Sequence, residues 1–306
     1  MKSVRNILVI VDPTAQRHPS VEKGCVLAER FGARLDLFVC ETKASQNLRQ
    51  ATRGRTQDDV RQDLETIAKT VRDRGIEATT EVISADPLHV ALLNRVKHTC
   101  ADMVIKDTHH HTLAKRTFLT NTDWELIRGC PVPLLLVKPE PWTPAHRIGA
   151  AVDPGHLDDK PRLLDRCILE HAALVAERLG GELHVIHAYI PAAMMTAAAV
   201  AVPPVVVDIP EQTLAREREE KLAELTTLLS ECSLPAENIH LQTGSVIEVL
   251  CGVAREAKID IMAMGAVSRS GLKRILIGST AEQILERLPC DLLVIKSPNF
   301  AELLAM

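Results

Sequence analysis

Two glycines and a serine near the end of the chain stand where a backbone could cradle an anion. Gly265 closes the apolar run Ile261-Met262-Ala263-Met264, and Gly278-Ser279 precedes Thr280-Ala281-Glu282-Gln283-Ile284-Leu285, which reads as a helix start. A glycine at a strand tip lets the backbone approach a ribose or phosphate closely. The free N–H groups and positive dipole end of a helix beginning at Thr280 favour a negative charge. Arg269, Lys273 and Arg274 lie between the two glycine positions and complement phosphate. A second account of the same residues needs no ligand: Ser279 with Glu282 has capping-box spacing, and both glycines suit ordinary turns. Asp153 ends another apolar run, Ile148 to Val152, and precedes Pro154, so an Asx-type turn explains it equally well.

These positions belong to a repeated pattern. Ile7 to Pro13 matches Ile148 to Pro154, each an apolar run stopped at Asp-Pro. Leu27 to Leu35 matches Val175 to Leu183, each a helix end, a glycine stop and a new strand. Ala101 to Ile105 matches Ile259 to Ala263, and Pro133 to Lys138 matches Asp291 to Lys296. Four matches in the same order mean a duplicated unit. Strands alternating with helices imply an α/β fold of two tandem, open, five-stranded, mainly parallel sheets with helices on both faces. The boundary is expected in Lys138-Pro139-Glu140-Pro141-Trp142-Thr143-Pro144, giving units 1–141 and 142–306.

Composition removes several function classes. The 306 residues suit two domains, and the 46% hydrophobic and 25% charged content is that of an ordinary globular protein. A net charge of −4 and only four Phe, two Trp and one Tyr give nucleic acid neither a basic field nor stacking platforms. The eight cysteines include no C-x-x-C pair and read as small hydrophobes in a reducing compartment. The N-terminal apolar run is too short for a signal peptide and no stretch has membrane-spanning length, so a cytoplasmic protein without membrane insertion is expected. His109-His110-His111 reads as a solvated loop, because three adjacent side chains rarely chelate one metal. Leu214 to Lys221 reads as a charged, structural helix face. No G-x-S-x-G elbow, P-loop lysine or H-E-x-x-H motif is present, so no enzyme activity is expected.

The whole chain resembles the universal stress protein family, and its tandem form resembles the E-type, two-domain members. Phe118 to Pro131 is similar to that subgroup's segment before its last strand. Nucleotide-binding members carry G-x2-G-x9-G-[ST] after the fourth strand of the unit, and Gly265 and Gly278-Ser279 match it, with Ser268 in place of the second glycine and Gly271 displaced. The resemblance implies an adenine nucleotide, ATP with magnesium, held in the second unit by Asp153, Ala188, Gly265, Ser268, Arg269, Gly278, Ser279 and Thr280. Asp153 resembles the acidic residue on the adenine–ribose side, and Ala188 aligns with a backbone contact to the base. In the first unit Asp107, His110, Thr120 and Asn121 occupy the motif positions, so that unit is not expected to bind ATP. Slow ATP hydrolysis is implied by resemblance only. Family members associate through their last strands, so Leu134 to Lys138 and Leu292 to Lys296 are expected to pair as a pseudo-dimer within one chain, with a further homodimer left open.

The segment Ile190 to Pro210 is nearly free of charge and bracketed by prolines. It is expected either to pack on protein or to cover a groove for an amphipathic, lipid-like metabolite. A ligand-free scaffold with protein partners is the third reading.

Overall fold

The computed structural model describes residues 3–111, 116–118, 121–155, 163–192, 210–266, 286–297 and 300. The chain divides into two compact units, residues 1–142 with 291–306, and residues 143–290.

In the first unit, β1 (Asn6–Ile10), β2 (Arg34–Glu41), β3 (Ala78–Ser84), β4 (Met103–Asp107) and β7 (Leu134–Val137) run parallel in the order β3-β2-β1-β4-β7. The apolar run at β1 is buried at every residue, as a central parallel strand covered on both faces must be. Helix α1 (Pro19–Phe31) lies against Leu35, because a β-carbon on its Gly24 would sit 3.2 Å from Val9 and 3.8 Å from Leu35. The next residue along β2, Asp36, instead takes two hydrogen bonds from Arg95 of α4 (Leu88–His98), at 2.7 and 2.8 Å. Successive strand residues face opposite ways, so α1 and α4 cover opposite faces.

The strand β12 (Asp291–Ile295) lies antiparallel to β7, pairing Leu292 with Leu136, Leu293 with Leu135 and Val294 with Leu134. The predicted pairing of the last strands of the two repeats is thus present, and it covers an apolar strand edge that would otherwise be open. The junction is held by a buried cluster around Asp291, which is 2% exposed. Its carboxylate accepts from Lys23 Nζ at 2.7 and 3.0 Å, from the Lys138 N–H at 2.8 Å and from Trp142 Nε1 at 2.7 Å.

In the second unit, β8 (Arg147–Ala151), β9 (Glu182–Tyr189), β10 (Ile239–Thr243) and β11 (Ile261–Gly265) are parallel in the order β10-β9-β8-β11. Helix α6 (Leu163–Leu179) packs on β8, β9 and β11. The remaining described helices are α2 (Lys43–Arg53), α3 (Gln57–Arg72), α5 (Asn121–Gly129), α7 (Glu211–Glu231) and α8 (Val246–Glu256). The glycine stops of α1 and α6 take the left-handed conformation that favours glycine, with φ of 65° at Gly32 and 69° at Gly180. The charged face of α7 carries a 2.9 Å pair between Arg216 and Glu220, as its spacing predicts.

Another repeated residue has a structural reason. Asp102 accepts the N–H groups of Arg5 (2.8 Å) and Asn6 (3.0 Å), and Asp260 accepts those of Thr143 (2.6 Å) and Arg147 (2.8 Å). In each repeat this carboxylate fixes the start of the first strand beside the fourth.

Three adjacent histidines depart from the sequence expectation. His109–His111 is not a loop but a strand, β5, antiparallel to β6 (Arg116–Phe118) in a short hairpin. Three residues are too few to show a period of two, so the pattern is invisible in sequence. The eight thiols are unbridged: Cys25, Cys130, Cys251 and Cys290 are buried, whereas Cys100 is exposed.

Candidate functional site

Parallel α/β sheets bind ligands beyond the carboxyl ends of their strands. In the second unit, β8, β9 and β11 bring three expected site residues to that edge: Asp153 two residues beyond β8, Ala188 at the last position but one of β9, and Gly265 at the end of β11. Ser268, Arg269, Gly278, Ser279 and Thr280 lie outside the described residues, as does most of the apolar segment after Ile190.

Asp153 stands at the mouth of this edge with a side chain 40% exposed. Its own N–H donates to Asp165 Oδ1 at 3.2 Å, which ties the turn to α6. His187, 4% exposed, points its Nδ1 at the Val152 carbonyl (2.9 Å) and lies 3.8 Å from Asp153 Oδ1. Since a carbonyl only accepts, Nδ1 carries the proton, and Nε2 is left as a buried acceptor. The ring stacks on Tyr189 at 6.1 Å. His187 therefore fixes the turn that presents Asp153. Sequence reading passed over it, although its place one residue before Ala188 on β9 is the signal that could have found it.

Gly265 has a tighter environment than a ligand cradle alone requires. A β-carbon there would lie 2.7 Å from Leu164 Cδ2 and 3.1 Å from Ile168 Cδ1. Close packing of α6 on β11 by itself favours glycine at this position, since any larger residue would have to push Leu164 aside.

The first unit has a cavity of about 310 Å³ at the corresponding edge, lined by the tips of β1, β2 and β4 together with Leu88 and Thr122. Asp12 takes the place of Asp153, and its Oδ1 accepts from the Thr14 N–H at 2.8 Å and the Thr14 hydroxyl at 2.6 Å, an Asx turn. Asp107 takes the place of Gly265. Its two oxygens accept from the N–H and hydroxyl of Ser20, both at 2.7 Å, at the first turn of α1. Burial raises its carboxyl above the usual carboxylate range, against the Ser20 hydrogen bonds. Lys106 is held by Asp123 at 2.7 Å, and Glu41 by Nε and Nη2 of Arg49, both at 3.0 Å.

Among the described residues no group of three or more His, Cys, Asp or Glu side chains is placed to hold a metal ion, and no helix is long and apolar enough to cross a membrane.

Comparison with known proteins accords with this architecture. Universal stress protein E of Salmonella typhi is 26% identical over 313 aligned positions, covering 98% of this chain and 96% of that protein. A Haemophilus influenzae homologue of universal stress protein E is 26% identical, covering 95% and 97%. A crystal structure of a functionally unknown protein from Pseudomonas aeruginosa PAO1 matches with a TM-score of 0.75 at 28% identity, over 98% of this chain and 96% of that one. A universal stress protein from Archaeoglobus fulgidus, at 16% identity and a TM-score of 0.69 over 95% and 98% of the two chains, shares the fold. The sequence profile of the Universal stress protein family matches twice, at residues 3–138 and 145–296. The chain belongs to the universal stress protein family, as a tandem pair of its units of the E-type.

Proposed function

We propose that this protein is a non-catalytic, cytoplasmic stress-response protein whose second repeat binds an adenine nucleotide, ATP with magnesium, at the carboxyl edge of β8, β9 and β11. The observation that carries this reading is the convergence of Asp153, Ala188 and Gly265 on that edge, on adjacent strands. A half-exposed carboxylate beside a strand tip suits the hydroxyls of a ribose, and a backbone group at the carboxyl end of β9 suits a base edge. The phosphates would fall to Ser268, Arg269, Gly278, Ser279 and Thr280, whose types and spacing supply backbone N–H groups, hydroxyls and positive charge.

The first repeat is not a second copy of that site. Its Asp107 places a carboxylate on the N-terminal turn of α1, where an anion would otherwise be welcome.

Calorimetric titration of the full chain with magnesium-ATP tests the reading. One site per chain is expected, with affinity reduced about tenfold in Asp153→Ala, in keeping with the loss of a charged hydrogen bond. No heat and no thermal shift would remove the proposal in favour of a scaffold with protein partners.

A further inference from the structure

The cavity of the first unit has a chemistry of its own. Its wall is apolar, formed by Ile10, Val11, Pro13 and Leu88, and its volume of about 310 Å³ is at the lower end of the range for small-molecule sites. Its charged groups are mostly acidic, Asp12, Glu41 and Asp107 against Lys106, and Thr14, Thr42 and Thr122 add neutral hydroxyls. That lysine is committed to the fully buried Asp123, 2.7 Å away, and donates to the Asp107 carbonyl at 3.0 Å. Glu41 is neutralised by Arg49, which also donates to the carbonyls of Arg55 and Thr56.

The place an anion would take is already filled by the protein. The N-terminal turn of α1 offers the N–H and hydroxyl of Ser20, and both go to Asp107 at 2.7 Å. A phosphate entering here would meet a part-buried carboxylate and displace two good hydrogen bonds, with Lys106 already paired to Asp123. An ammonium group would instead sit beside the Asp107 carboxylate, which burial has partly stripped of water, while an apolar body occupied the wall.

We propose that this cavity is a binding site for a compact organic cation, an ammonium group on an apolar body, and that it rejects phosphate esters. The site lies wholly within the first unit, so it stands or falls independently of nucleotide binding by the second. Asp12 and Asp107 face the ammonium, and Leu88 and Val11 enclose the body.

Three probes that differ only in their polar end test this: benzylamine, benzyl alcohol and benzyl phosphate, titrated against the full chain by saturation-transfer NMR near neutral pH. The amine is expected to bind about tenfold more tightly than the alcohol, the difference typical of a charge-assisted over a neutral hydrogen bond, and the phosphate not at all. Leu88→Trp fills the cavity from its half-buried rim and should abolish amine binding with an unchanged melting temperature. Asp12→Asn should bring the amine down to the level of the alcohol. The proposal is overturned if the phosphate binds as well as the amine, if amine and alcohol bind equally, if none of the three binds, if Leu88→Trp that melts normally leaves amine binding intact, or if magnesium-ATP displaces the amine.

Discussion

Leu164 stands so close to Gly265 that a β-carbon on the glycine would lie 2.7 Å from the leucine's Cδ2. The contact gives the most conspicuous glycine of the nucleotide motif a packing role of its own. Gly265→Ala is therefore expected to destabilise the second unit by about 1–3 kcal/mol through overpacking, read from urea unfolding. Combined with Leu164→Ala, which opens the space, much of that loss should return. A Gly265→Ala protein as stable as the wild type would contradict the contact. For the same reason a bulky Gly265→Glu change would disturb folding and nucleotide affinity together, and Asp153 is the cleaner position for testing the ligand.

Asp291 and Lys23 are separated by 268 residues and form a buried pair with exposures of 2% and 8%. Asp291→Ala leaves the buried lysine without its counter-charge, with only the Lys138 carbonyl (2.9 Å) still accepting from it, and should cost about 3–5 kcal/mol in chemical unfolding. The double change Lys23→Met with Asp291→Leu should be much milder, because no buried charge is left behind. A single change that costs under 1 kcal/mol would contradict the buried cluster.

Lys296 is pushed down to about 8 by burial. Its Nζ donates to the Ile127 carbonyl at the end of α5 and lies 4.5 Å from the centre of the Phe300 ring. Between about pH 8 and the ordinary lysine value the unfolded chain holds more protons than the folded one, so stability rises with pH across that window. The gain is up to about 3 kcal/mol. Lys296→Met should remove that rise, seen as a flatter plot of unfolding free energy between pH 7.5 and 10. A wild-type slope equal to that of the variant would contradict it.

His184 and His240 oppose each other, with Nδ1 of the first 3.0 Å from Nε2 of the second and the rings stacked at 5.2 Å. Desolvation lowers both, and for His184 the Glu182 carboxylate opposes that shift. A histidine lowered by folding is charged more readily in the unfolded chain, so stability falls as the pH drops through the ordinary histidine range. The melting temperature should decline from pH 7 to pH 5.5, and less steeply in His240→Gln. An identical decline in the two proteins would count against the pair.

Much of the fold was legible in the residues themselves. The Asp-Pro stops, the glycines at 32 and 180 and the repeated apolar runs are local signals that fall at strands and helix ends, although the last run, Asp291–Ile295, groups with the first unit and not with the expected 142–306. The β5–β6 hairpin was not legible, since three-residue strands carry too short a pattern. Neither was the Asp291 cluster, because hydrogen bonds between residues so far apart leave no trace in spacing. At the candidate site, the sequence directed attention to glycines and so to the second repeat. The cavity of the first repeat is assembled from β1, β2, β4 and α4, and its departure from the motif at Asp107 gave no hint that the carboxylate would turn onto Ser20.

Hydrogen exchange of the full chain with and without magnesium-ATP tests the location of the nucleotide most directly. The account predicts slower exchange in peptides spanning residues 152–155, 186–190 and 265–282, with peptides covering residues 10–14 and 40–42 unchanged. Protection confined to the first repeat, or none anywhere at saturating nucleotide, would contradict it.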